Sequence, residues 1–146
     1  MQTHYVFVDY ENTPLGNIGL INKIPCKTLI KIYLGHHQSM IPLSVARALQ
    51  ALGEDAEYIQ FESTRRNITN FNIAFQLGEL ATQHPEARFS ILSNDSGFNA
   101  ILEGLQSRGV NCARYADMES LMEQFAVVAP VAQENIRAKN VVAIAN

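Results

Sequence analysis

The chain has 146 residues, is 47% hydrophobic and 17% charged, and carries a net charge of −3. This is the length of one ordinary domain, apolar enough to close a core without disulfide staples, which excludes an intrinsically disordered chain. The mild negative charge excludes a global field for drawing in a polyanion, so any nucleic-acid contact must rest on local basic groups and metal.

Taken in order, Tyr5 to Val8 reads as a first short apolar strand. A turn-rich stretch with Pro14 and Gly16 follows. Thr28 to Leu34 is a second strand ended by Gly35, and Leu43 to Leu52 a helix opened by Pro42 and stopped by Gly53. Ala56 to Phe61 is a third strand, and Asn67 to His84 a long helix that ends before Pro85. Phe89 to Leu92 is a fourth strand, Gly97 to Arg108 a helical segment capped by Gly109, Val110 to Tyr115 a fifth strand, and Met118 to Phe125 a last short helix. Strands separated by helices predict a parallel sheet covered on both faces, a doubly wound α/β sandwich with right-handed crossovers.

The domain is expected to span residues 1–125, and the alanine- and valine-rich segment 126–146, broken by Pro130, to form a tail that docks, exchanges with a second copy or stays mobile. Cys26 and Cys112 lie far apart without CxxC spacing, which points away from zinc and towards thiols in a reducing compartment. The first residues lack the cationic start of a signal peptide, and no apolar run reaches the roughly 18 residues of a membrane span. A cytoplasmic protein is expected.

Ligands of such sheets bind outside the carboxyl ends of the strands, where the strand order reverses. The first strand ends in Val8-Asp9-Tyr10-Glu11-Asn12 and the fourth in Ser93-Asn94-Asp95-Ser96-Gly97. If these strands are neighbours, Asp9 and Asp95 face each other across one crevice, where two carboxylates attract a hard divalent cation. A plain structural reading stands beside each: Asp9 in an Asx-turn, Asp95 as a helix N-cap. On the long helix, Thr69, Asn72, Gln76, Glu79 and Gln83 make the expected wet face, while Asn70 falls in register with Ala74, Leu77 and Ala81. A polar group heading a core-facing stripe satisfies buried backbone or lines a pocket. Asn99 projects from the helix start that follows Asp95, or simply faces solvent.

These three segments, with Asn67-Ile68-Thr69-Asn70-Phe71 as the middle one, resemble the PIN-like/NYN ribonuclease superfamily, and most closely its bacterial members whose first motif reads V-D-Y-E-N. The resemblance covers residues 4–120 or so. It implies a five-stranded parallel sheet of order 3-2-1-4-5, and an acidic cluster that binds Mg²⁺ or Mn²⁺ and hydrolyses RNA. Carried over by residue, Asp9 and Asp95 match two of the acids. Asn70 stands where the family usually has aspartate, and Asn99 where a further aspartate is common. An amide oxygen still ligates a hard cation but adds no charge, so weak metal binding is expected. The resemblance thus implies Asp9 and Asp95 as metal ligands, with Asn70 and Asn99 positioning water or phosphate; Glu11 either assists at the metal from its loop or points its side chain away.

Arg65 and Arg66, just ahead of the helix that carries Asn70, are the natural phosphate holders. Gln38, beside His36 and His37, sits in a polar loop on the same edge. Asn12, Ser93 and Asn94, within the two motifs, are expected to face the nucleic acid. Asp9-Tyr10-Glu11 stands where a dinucleotide enzyme would carry GxGxxG, and no GxSxG elbow appears. The reading is a metal-dependent ribonuclease with a partly degenerate site, or a weak or inactive module of the same fold that binds RNA or a protein partner, with the tail as one route to that partner or to a homodimer. A phosphatase-like domain with Asp9 as nucleophile is a weaker third.

Overall fold

Val6, Phe7 and Val8 are all fully buried, so side chains on both faces of the first strand are out of water. Only a strand at the middle of a sheet covered on both sides meets that condition. The computed structural model describes residues 2–13 and 15–126. Its five strands are β1 (Thr3–Asp9), β2 (Lys27–Leu34), β3 (Ala56–Gln60), β4 (Arg88–Leu92) and β5 (Asn111–Tyr115). They form a parallel sheet of order β3-β2-β1-β4-β5, as expected. In β1, Val6 registers with Ile30 of β2 and with Ser90 of β4.

Four helices cover the sheet: α1 (Leu43–Gln50), α2 (Ile68–Gln83), α3 (Asn99–Gln106) and α4 (Met118–Ala126). Val45 and Leu49 of α1 and Met118 and Leu121 of α4 pack with Val6, Val8 and Ile32 on one face. Ile73, Leu77 and Ala81 of α2 and Leu102 of α3 pack with Phe7, Tyr33 and Ile91 on the other. Among the described residues no helix is long and apolar enough to cross a membrane. The tail expected from residue 126 onward lies outside the described residues, apart from Ala126 at the end of α4.

Two expectations need correction. The stretch after β1 is more than turns: Tyr10–Asn12 and Ile18–Lys23 are 3-10 helical. Ile18, Ile21 and Ile24, with Leu15, are buried in the first core, so this segment covers the sheet where a short crossover leaves no room for an α-helix. The wet face of α2 is also rotated. Phe71 and Phe75 are each 67% exposed, whereas Thr69, Asn72 and Gln76 are half-buried. Asn72 and Gln76 are each satisfied by a hydrogen bond, and that of Gln76 reaches the sheet. Asn72 donates to the Ile68 carbonyl at 2.8 Å, and the Tyr33 hydroxyl donates to Gln76 Oε1.

Candidate active site

The carboxyl ends of β1, β4 and β5 are laced together by their own backbone. The Ser93 N–H donates to the Tyr115 carbonyl at 3.0 Å, and the Asn94 N–H to the Asn12 carbonyl at 2.8 Å. The buried Thr13 hydroxyl lies 2.8 Å from the Asp9 carbonyl and 2.7 Å from the Leu92 carbonyl, and so straddles the last residues of β1 and β4.

Asp9 is 1% exposed. Its Oδ2 accepts from the Ser93 hydroxyl at 2.8 Å and from Asn12 Nδ2 at 3.0 Å. Both bonds fall on one oxygen, which leaves Oδ1 to act as a ligand. The buried Ser93 Oγ also accepts the Asp95 N–H at 3.0 Å, so one hydroxyl ties the two aspartates into a single unit. Asp9 caps no backbone N–H at the turn it opens, which sets aside the Asx-turn reading.

Asp95 is half-buried and does cap the short turn Ser96–Phe98 through a 2.8 Å bond from the Gly97 N–H to Oδ1. Its other oxygen accepts from Asn70 Nδ2 at 2.7 Å. The Gly97 N–H, then the Asn70 amide, with Arg114 nearby, hold the carboxyl below its ordinary range. Capping and site membership coexist here, because a carboxylate has two oxygens and each has a task.

These groups open into a cavity of about 330 Å³. Asp9, Glu11, Asn12, Asn70 and Asp95 line it, together with Ser63 to Asn67, His36 and His37. Asn67 takes a left-handed φ of 62° where the chain turns from Arg66 into α2. The sequence-level candidates Asp9, Asp95, Asn70, Glu11, Asn12, Arg65 and Arg66 are therefore brought together.

The remaining candidates lie elsewhere. Ser93 is buried behind the aspartates, and Asn94 is exposed outside the lining. Gln38 folds back to accept the Gly35 N–H and lines a separate hollow with Met40 and Tyr58. Asn99 lines a separate hollow between α3 and β5, where its Oδ1 accepts from Arg114 Nε at 2.9 Å. That bond steadies an arginine whose Nη1 donates to the Ser93 carbonyl at 3.0 Å.

Four contributors escaped the sequence reading. Thr13 carries no motif. Arg114 had a usable signal, since it sits at the carboxyl end of the strand beside β4. Ser63 and Thr64 precede the arginines and share the cavity wall.

The three-carboxylate ligand set is not formed. Among the described residues no three His, Cys, Asp or Glu side chains converge on a metal position. The Glu11 carboxylate instead lies over Gly35, where an added Cβ would come 1.6 Å from Oε1. The donors that remain, two carboxylates with amide oxygens and water, suit one hard divalent ion and not a two-metal clamp. The contact with Gly35 gives a direct test of Glu11. A Gly35→Ala chain should fold with near-parent stability, since the clash is with the end of a flexible side chain, while Glu11 is displaced. Unchanged cleavage in that variant would show that Glu11 has no part in the chemistry, and a fall in rate at constant melting temperature would give it one.

Residues 3–115 match the PIN domain family. The chain belongs to that family. PIN domains are in general nucleases, and the order of the sheet agrees with that membership. No curated protein sequence matches the chain. Among solved structures, it is similar to a Vibrio parahaemolyticus protein of unknown function, at 16% identity with a TM-score of 0.53, over 84% of this chain and 88% of that one. A likeness at that identity supports the fold alone.

Proposed function

We propose that this PIN domain is a metal-dependent ribonuclease whose cleft holds one weakly bound divalent ion. The observation that carries the reading is the pairing of Asp9 and Asp95 through Ser93, at the ends of adjacent central strands, in a cleft rimmed by Arg65 and Arg66. When bound, Mg²⁺ or Mn²⁺ would supply Lewis-acid polarisation of the scissile phosphate. Asp9 Oδ1 and the Asp95 carboxylate would hold the ion. Arg65 and Arg66 face the phosphate backbone across the cleft, and Asn70 orients the polar groups around it. A cytoplasmic setting belongs to this reading, supported by two free cysteines.

One observation favours a second reading, an RNA-binding module with little or no cleavage. The Asn70 amide already satisfies Asp95, so the polar network closes without any cation. The deciding experiment is cleavage of generic single-stranded RNA by the parent chain, with Mn²⁺ and with EDTA, beside Asp9→Asn and Asp95→Asn. Cleavage is expected with Mn²⁺, not with EDTA, and not in either variant. RNA binding without cleavage by the parent chain would establish the binding module and sink the nuclease.

A further inference from the structure

Two phenyl rings stand in water on α2, and their neighbours suggest what they meet. Phe71 and Phe75 are each 67% exposed. Four residues apart on a helix, they lie one above the other on one face, about 6 Å apart along the axis. The helix that carries them is the one whose first turn, at Ile68 to Asn70, lines the cleft. Exposed aromatics beside a candidate site mark an interaction surface.

Charge on this stretch runs against the rest of the chain. From Ser63 to Gly78 there is no acid and there are two arginines, in a protein of net charge −3. Arg65 and Arg66 are exposed, and among the described residues neither is in an ion pair. Reading outward, Phe61 lines the cleft, the arginines stand at its lip, and Phe71 and Phe75 follow on the helix. Aromatic and cationic groups interleave in this way where a single strand is held by stacking and by its phosphates.

We propose that the outer face of the first two turns of α2 is a stacking track for single-stranded RNA leaving the cleft, with Phe71 and Phe75 each carrying a base and Arg65 and Arg66 holding phosphates. The proposal rests on the RNA reading above and extends it to a substrate longer than the cleft can hold. A second copy of the chain fits the face less well. Fully covered, two phenyl groups bury roughly 300 Å², well short of the about 800 Å² per partner of a stable interface.

The test is fluorescence anisotropy in EDTA, with a labelled uridine trimer and a labelled uridine dodecamer as probes. The parent should bind the dodecamer more tightly than the trimer. Phe71→Ala/Phe75→Ala should weaken dodecamer binding by at least about twenty-five-fold and leave trimer binding alone. Phe71→Tyr/Phe75→Tyr should retain parent affinity, and a dodecamer made abasic outside its central trimer should lose its advantage. A double-alanine variant that binds the dodecamer like the parent overturns the track while leaving the cleft reading intact. If that variant is also a monomer where the parent sediments as a dimer, the face is a self-association surface. A parent chain that binds neither probe overturns the RNA reading and the track together.

Discussion

Asn70→Asp should bind Mn²⁺ about thirty-fold more tightly than the parent chain. The amide nitrogen of Asn70 lies 2.7 Å from Asp95 Oδ2, so the substitution sets a second carboxylate against the first. One added unit charge about 4 Å from a divalent ion is worth about 2 kcal/mol even in bulk-water dielectric, which is the thirty-fold. The same charge has the opposite effect when no ion is present. In EDTA the two carboxylates repel, one of them keeps its proton to higher pH, and the melting temperature of the variant should fall below the parent's as pH rises to neutrality. Titration calorimetry with Mn²⁺, and melting with and without it, check both halves. Equal affinity in the two chains would mean that Asn70 is not beside the ion, and would remove the explanation offered for weak metal binding.

A second large effect is expected at the opposite end of β1. His4 is fully buried; its Nε2 lies 2.7 Å from Ser90 Oγ, and its Nδ1 has no hydrogen-bond partner among the described residues. The ring packs at 5.8 Å from Phe125, over which the Arg88 guanidinium sits at 4.9 Å. Burial first, and then the Arg88 charge, depress the pKa of His4 to about 4. In the unfolded chain the imidazole takes up its proton near pH 6.5. Between these values the unfolded state binds more protons, so this contribution is complete above about pH 6.5 and is lost as pH falls towards 4. Its amplitude is about 3 kcal/mol. Urea unfolding at pH 7.5 and 4.5, compared with His4→Gln, isolates the histidine from the carboxylates that titrate in the same window. An identical pH dependence in the two chains would refute the assignment.

The alternation of strands and helices was legible from period and punctuation, while the strand order, and with it the meeting of Asp9 with Asp95, followed from the resemblance that the motifs at the ends of β1 and β4 carry. Buried runs such as Val6 to Val8 and Ile91 to Leu92 leave only a central position open to them. The phase of α2 was not legible, for a physical reason. A wheel assigns polar residues to water, but Gln76 meets the Tyr33 hydroxyl and Asn72 its own helix backbone, so the exposed face keeps Glu79 and Gln83 and turns towards Phe71 and Phe75. Asn99 was misplaced in a similar way. Spacing from Asp95 put it on the same helix start but said nothing of Arg114, the partner 15 positions away that it meets in a separate hollow. The position of Glu11 over Gly35 depends on a loop that no sequence period describes.

The long reach of the bonds around β1 governs when the site comes into being. Ser93 to Asp9 spans 84 positions and His4 to Ser90 spans 86, whereas β2, on the other side of β1, begins at Lys27. During synthesis from the N-terminus, β1 and β2 can pair early, but one flank of β1 stays bare until β4 has emerged. Until then both Asp9 and His4 face water. The cleft is thus a late product of folding, and a ribosome-bound intermediate carries an unfinished sheet edge with no cleft beside it.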